Sequence, residues 1–358
     1  MGELTPSPQQ RVVDYFQRRE SRWGYTLLLQ GTKHFGYYPP GSGRLPMAAA
    51  QTLMADRLGQ ALELPRGALV LDAGCGQGAV ALRLAETLGL HVEGVDLQPD
   101  NIRSATRKAA RRQALDRTRF QVMDYAGLRF PDEHFDGVYT LESLVHAPDS
   151  QAALRQFQRV LKPGGRLVLF EYSMAARQQL TARQRQVFDT INEDAAMPSL
   201  PAFVHGGFPA LLRSAGFEDV TVLDITERML PMLRRLARLA YLPYQVSRLL
   251  GAERRVVNAM AAVECYRHQG VWRYNTVTAA KPPARPPSPI RLTDADAPSG
   301  VAAARRRRPA SVAQGFRWAL AACRAAAPAV ASGGSTSSGR LTSSAPSCRS
   351  SQRLTSRP

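Results

Sequence analysis

The 358-residue sequence is short of several things, and each shortage removes a class of protein. Its four cysteines, Cys75, Cys265, Cys323 and Cys348, are widely spaced and form no CxxC, so neither a disulfide framework nor a cysteine zinc site is indicated. No apolar run reaches the roughly 18 to 20 residues of a membrane-spanning helix. The nearest approach, Trp318 to Val330, is cut by Arg324 and Pro328. Met1 to Gln10 lacks a basic stretch followed by an apolar core, so no secretory signal is expected there and the cytoplasm is the expected compartment. HExxH and GxSxG are both missing, which leaves no sequence signal for a metalloprotease or a serine hydrolase. No metal is expected.

Acidic residues are also scarce. Twenty-nine Asp and Glu face 47 Lys and Arg, giving a net charge of +18, a value that on its face points to nucleic acid or an anionic membrane. The charge is unevenly placed, however. Residues 281–358 carry +11, with 10 of the 25 prolines, the block Arg305 to Arg308 and a Ser/Gly/Thr-rich stretch from Ser332. The other 280 residues carry only +7. Residues 281–358 are therefore expected to be a disordered basic tail.

Four regions follow from the patterning. Residues 1–60 read as a helical and aromatic cap: a short helix at Val12 to Arg19, a Gly- and aromatic-rich loop from Trp23 to Pro46, and a helix at Met47 to Leu62. Residues 61–175 alternate strands (Ala68 to Leu71, His91 to Asp96, Arg119 to Met123, Phe135 to Thr140, Arg166 to Phe170) with helices (Ala79 to Leu88, Pro99 to Gln113, Ser150 to Leu161). Such alternation predicts an α/β domain with a mostly parallel sheet and ligands at the carboxyl ends of its strands. Residues 176–280 continue with helices at Ala175 to Ala195 and Pro209 to Ala215 and a sixth strand at Phe217 to Asp224. A helical stretch at about 227–270, expected to break at Pro243 and Gly251, then precedes a last strand at Trp272 to Thr278. That insert is placed to act as a lid.

The strongest local signal is Val70-Leu71-Asp72-Ala73-Gly74-Cys75-Gly76-Gln77-Gly78, a strand entering a loop with glycines at alternate positions before a helix. Glycine lets backbone approach a ligand, and the helix N-terminus offers unpaired amides. Asp96 ends the next strand, where a carboxylate can accept from ribose hydroxyls. Asp124 follows the third, where it can accept from an adenine amine. Asp72, at the loop's start, suits a cationic amino-acid moiety better than a phosphate. Adenine, ribose and a cationic tail describe S-adenosyl-L-methionine.

Five segments carry a family resemblance: VLDAGCGQG at 70–78, VEGVDL at 92–97, FQVMDY at 120–125, FDGVYTLESLVHAPD at 135–149 and RVLKPGGRLVLFEY at 159–172. Over about 100 residues the chain resembles class I S-adenosylmethionine-dependent methyltransferases. The resemblance implies a Rossmann-like fold with a seven-stranded, mostly parallel sheet flanked by helices, a helical N-terminal cap and a helical insert before the last strand. It also implies that Asp72, Gly74, Cys75, Gly76 and Gly78 wrap the methionine portion, with Glu142 nearby. Asp96 with Leu97 would hold the ribose, and Asp124 with Tyr125 the adenine. More narrowly, Tyr139 to Glu142, His146 to Asp149 and Arg159 to Gly164 are similar to the sterol 24-C-methyltransferase group, whose aromatic motif is echoed by Arg22-Trp23-Gly24-Tyr25. Natural-product methyltransferases share the remaining pattern.

Methyl transfer from a sulfonium chiefly requires alignment of the acceptor and exclusion of water. For an oxygen or nitrogen acceptor, His146 is the expected base. For an alkene carbon, aromatic faces and carboxylates would steady a carbocation, with Glu142, Glu171 and Tyr172 on one side and Trp23, Tyr25, His34, Phe35 and Tyr37 on the other. The catalytic candidates are thus His146, Glu142, Glu171, Tyr25 and His34. The favoured expectation is C-methylation of an isoprenoid or sterol-like acceptor, and the alternative is O- or N-methylation of a polyketide or other natural product. The partner is expected to be a small hydrophobic metabolite; a homodimer is allowed. A nucleic-acid methyltransferase is disfavoured because Thr140-Leu141-Glu142-Ser143 stands where an Asn/Asp-Pro-Pro-aromatic motif would be. A dinucleotide oxidoreductase is disfavoured by GxGxG in place of GxGxxG, and a non-catalytic binder by the intact pocket residues.

Overall fold

Apolar residues at every second position decide the architecture. Val70, Val168 and Phe170 face one side of a sheet while Leu71, Leu167 and Leu169 face the other, and each set anchors a separate buried cluster. In the computed structural model, which describes residues 7–17 and 32–284, that sheet has seven strands. They are β1 (Leu69–Ala73), β2 (His91–Asp96), β3 (Thr118–Val122), β4 (Phe135–Leu141), β5 (Leu161–Met174), β6 (Glu218–Asp224) and β7 (Trp272–Ala280). Their order is β3-β2-β1-β4-β5-β7-β6, parallel except for β7, which runs antiparallel between β5 and β6. The expected class I methyltransferase architecture is what the chain adopts.

Nine helices are described: α1 (Pro8–Gln17), α2 (Met47–Leu62), α3 (Ala79–Leu88), α4 (Pro99–Arg111), α5 (Ser150–Val160), α6 (Ala182–Asp194), α7 (Phe208–Ser214), α8 (Thr226–Leu249) and α9 (Val257–Arg267). The first face of the sheet carries buried residues of α1, α2, α3, α6, α8 and α9; the second carries those of α5 and α7. Each buried Leu or Phe removes apolar surface worth about 1.5–3 kcal/mol relative to exposure, so both faces contribute to stability. Among the described residues no helix is long and apolar enough to cross a membrane, and no His/Cys/Asp/Glu group is arranged to hold a metal.

Several boundaries differ from the sequence expectation. Strand β5 starts at Leu161, directly after α5, because Pro163-Gly164-Gly165 forms an irregularity inside the strand and not a separate loop: pairing moves from Phe135–Leu161 to Gly137–Arg166 across it. Pro243 does not break α8, which runs through both Pro231 and Pro243 and stops at Leu249 beside Gly251. A proline costs one backbone bond, and packing of Met229, Met232, Leu233, Ala237 and Tyr244 offsets it. The polar helix begins only at Ala182, where Thr181 caps it by accepting from the Gln184 amide. The fold also continues past Thr278: Lys281 exchanges backbone hydrogen bonds with Gly164 and Gly165, and its ammonium donates to the Leu161 carbonyl at 2.8 Å.

Candidate active site

A parallel sheet delivers its strand ends to one edge, and here that edge is acidic. Asp72 lies in β1, Asp96 ends β2, Asp124 follows β3, Glu142 follows β4, and Glu171 lies in β5. Asp72, Asp96, Asp124 and Glu142 line one cavity of about 520 Å³, together with Gly74, Cys75, Gly76, Leu97 and Tyr125. The glycine loop is tied to β2: the Gly74 and Cys75 amides both donate to the Val95 carbonyl at 2.9 Å, and Gly76 donates to Asp96 Oδ2 at 2.9 Å. Asp96 Oδ1 accepts from the Gln98 amide at 2.8 Å and from Asn101 Nδ2 at 3.1 Å. Its carboxylate is thereby fixed in orientation, with acceptor capacity left over. Asp124 Oδ1 accepts from the Ala126 amide at 2.8 Å, capping a short turn. Tyr125 donates to the Ser143 carbonyl at 2.7 Å, so this ring braces the turn after β4.

Two glycines do different work. Gly74 has φ +92°, and a Cβ there would come within 2.5 Å of Ser143 Oγ, which donates to the Ala73 carbonyl at 2.5 Å. Gly74→Ala is expected to cost about 1–3 kcal/mol through strain and overpacking, lowering Tm by several degrees in a thermal melt; an unchanged Tm would refute the packing argument. Gly78 does not line the cavity, contrary to its expected place among the cofactor residues. At φ +76° it precedes α3, and a Cβ would meet Ala105 and the Phe120 ring at 2.9 Å, so its glycine serves helix-to-strand packing.

Asp72 is buried, and its Oδ2 has no hydrogen-bond partner. Burial raises its pKa to about 7. Among the described residues the Tyr139 hydroxyl is the one donor beside this buried carboxylate, which leaves it able to meet a cation, and S-adenosyl-L-methionine carries a cationic amino acid at the end opposite its adenine. Asp72, Asp96 and Asp124 in succession therefore fit the whole molecule. Placing a cation beside Asp72 drives off its proton. Near pH 7 binding is expected to release a fraction of a proton, and affinity should rise between about pH 6 and 7.5. Calorimetry in buffers of different ionisation enthalpy checks this; Asp72→Asn should abolish the buffer dependence, and its persistence would refute the assignment.

The expected catalytic residues separate. Tyr25 lies outside the described residues, as do Trp23 and Gly24. Glu142, at φ +54°, accepts from the Phe35 amide at 2.7 Å, the Tyr274 hydroxyl at 2.8 Å and the Tyr172 hydroxyl. Burial lifts its pKa to about 7 and the three donors oppose the rise. A carboxylate so occupied is a fastener between strands and not an available base. Glu171 is fully buried and does not line the cavity. Its Oε1 accepts from the Ser143 and Leu144 amides and the Thr140 hydroxyl, holding the turn after β4. Burial raises its pKa to about 8. Since that lies above the unfolded value, its contribution to stability is present at low pH and is lost as pH rises through about 8. Glu171→Gln keeps an acceptor without the charge, so activity at pH 7 should stay within about threefold while the loss of stability between about pH 4.5 and 8 flattens. A large drop in turnover would restore Glu171 as a catalytic group.

His146 lies in the cavity wall. Its Nδ1 is 2.8 Å from the Ala196 carbonyl, and because a carbonyl can only accept, Nδ1 carries the proton. Nε2 is left with its lone pair. Burial lowers the pKa to about 4, so the ring is neutral at pH 7. Tyr15 and Phe16 of α1 flank the imidazole, with ring centroids at 6.2 and 5.1 Å. His34 also lines the cavity; its Nδ1 donates to the Phe35 carbonyl at 2.8 Å, and burial lowers its pKa to about 4.

Sequence reading missed Lys33, whose ammonium lies 4.4 Å from the Phe16 ring centre in the same cavity, and Tyr274, which completes the Glu142 cluster. The period-2 pattern of the last strand signals that Tyr274 is buried, but nothing local gives its partner. Much of the remaining wall is apolar, with Phe188, Met229, Leu233, Leu236, Cys265 and Trp272, while Asn258 adds a polar side chain from α9; residues of the helical insert thus line the same cavity as the strand ends.

A family model described as a methyltransferase domain matches residues 70–165. The chain is 36% identical over 280 residues to an S-adenosyl-L-methionine-dependent Diels-Alderase, iccD, of Talaromyces variabilis, covering 76% of this chain and 96% of that one. It is 33% identical to the 27-O-demethylrifamycin SV methyltransferase of Amycolatopsis mediterranei, covering 64% and 81%. Among solved structures, the [4+2]-cyclase SpnF is similar with a TM-score of 0.64 and 25% identity, covering 79% of this chain and 98% of that one.

Proposed function

The chain belongs to the class I S-adenosyl-L-methionine-dependent methyltransferase superfamily, binds S-adenosyl-L-methionine and is an enzyme acting on a small organic metabolite; from that premise we propose that it methylates a hydroxyl oxygen of a largely apolar natural product, with His146 accepting the proton. The bound sulfonium supplies an activated methyl group. What carries the reading is the His146 tautomer: Ala196 holds the proton on Nδ1, which leaves Nε2 as a neutral acceptor in the cavity wall. The aromatic and aliphatic wall keeps water from the reacting oxygen and orients an apolar acceptor. Asp72, Asp96 and Asp124 fix the other end of the alignment.

The carbon acceptor favoured by sequence has less support. A carbocation asks for a nearby carboxylate, and Glu142 is occupied by two tyrosines and an amide while Glu171 sits beneath the turn. A second reading rests on a different observation. The likeness to a Diels-Alderase runs along 96% of that protein, and an apolar wall also suits folding a polyene for ring closure.

One experiment separates them. The purified chain is incubated with methyl-labelled S-adenosyl-L-methionine and an extract of the producing cells, and products are read by mass spectrometry. Methyl transfer gives a labelled metabolite and an equivalent of S-adenosylhomocysteine. An unlabelled product isomeric with its precursor, and no S-adenosylhomocysteine, would replace the first reading with the second. Label in nucleic acid alone would overturn both.

A further inference from the structure

Helix α8 carries a face that the fold leaves in water. Leu242, Val246, Leu249 and the following Leu250 fall on one stripe, and Leu242, Leu249 and Leu250 are 69%, 87% and 75% exposed. Single exposed leucines are ordinary; a contiguous stripe of them marks an interaction surface. At 100° per residue, Arg234, Arg238 and Arg248 form an exposed row along one edge of this stripe. The stripe also continues inward. Leu239, 57% exposed, belongs to both the stripe and the cavity wall, where Leu236, Ala240 and Pro243 join it.

We propose that this face of α8 docks on an anionic lipid bilayer, with the helix lying in the interface and the apolar cavity opening beside it. The leucines supply the burial and the arginine row the attraction to headgroups, the two components of interfacial helix binding. The arginines also decide between occupants. An antiparallel twofold self-pairing of the stripe would bring one arginine row against its own copy, and a parallel pairing would leave both rows without a counter-charge, whereas an anionic surface meets the row with opposite charge. The helix rests on the bilayer and does not cross it, in keeping with the lack of a long enough apolar helix among the described residues. The surface stands apart from the chemistry in the cavity and holds for either reaction.

The test uses the full chain with sedimenting vesicles of phosphatidylcholine alone or mixed with phosphatidylglycerol. Binding is expected to the mixed vesicles, weakening with salt. Leu242→Ser with Leu249→Ser should lower the partition coefficient about tenfold or more, with Tm and S-adenosyl-L-methionine affinity unchanged. Arg238→Glu with Arg248→Glu should give a comparable loss without touching the leucines, which keeps the test open if the serine pair fails to fold. Three results overturn the proposal. The wild-type chain could fail to sediment with the mixed vesicles. A folded variant pair could sediment as the wild type does, which would place the attraction in the basic segment at 305–308. Light scattering could also show a dimer that the serine pair dissolves, making a second copy the occupant.

Discussion

Asp96→Ala is expected to weaken S-adenosyl-L-methionine binding on the order of 100- to 10,000-fold, with the largest loss of affinity of any single cofactor-side substitution. Two effects combine. The proposed ribose contacts go to a charged acceptor, and hydrogen bonds of that kind contribute about 1.5–3 kcal/mol each; two of them correspond to roughly two to four decades in Kd. The same substitution also removes the acceptor of the Gly76 amide, the Gln98 amide and Asn101 Nδ2, so the glycine loop loses its tether to β2. Calorimetric titration measures the outcome, with circular dichroism to confirm the fold. Affinity within threefold of wild type would remove Asp96 from the cofactor site.

His146→Asn addresses the other end. Asparagine can keep a donor near the Nδ1 position for the Ala196 carbonyl but has nothing where Nε2 stands, so the turn is preserved and the base removed. If His146 accepts the proton, kcat should fall about 10²- to 10⁴-fold, the range general bases supply, with little change in cofactor Kd. With the imidazole pKa lowered to about 4, the wild-type kcat at saturating S-adenosyl-L-methionine should be flat across neutral pH and decline only on the acid side. Should the enzyme instead close a ring, the variant would lose little, because that reaction moves no proton. An unchanged kcat in a confirmed methyl transfer would dismiss His146 and direct attention to His34.

How much of this was legible in the sequence depends on distance along the chain. Asp72, the glycine loop, Asp96 and Asp124 stand out because each lies at the end of a strand with its own apolar pattern, and a parallel sheet brings such ends to one edge. The seven strands were legible for the same reason. What escaped is set by long-range pairing. The availability of His146 Nε2 depends on the carbonyl of Ala196, 50 residues away, and Glu142 is diverted from chemistry by a hydroxyl at Tyr274, 132 residues away. Gly78 was grouped with the cofactor loop because spacing alone does not distinguish a glycine that admits a ligand from one that admits a phenyl ring. The uninterrupted course of α8 through Pro243 was hidden because tertiary packing can outweigh a lost backbone bond.

The antiparallel insertion of β7 sets an order in time. Translation proceeds from the N-terminus, so β1 to β5, with all the acidic strand ends, leave the ribosome before Tyr274 exists. Until residues 272–280 arrive, β5 has an unpaired edge, β6 has no neighbour, and Glu142 is missing one of its hydroxyl donors. The nascent chain thus holds a cofactor edge before it holds a finished catalytic cavity, and the last of the described strands to be synthesised is the one that attaches β6 to the other five.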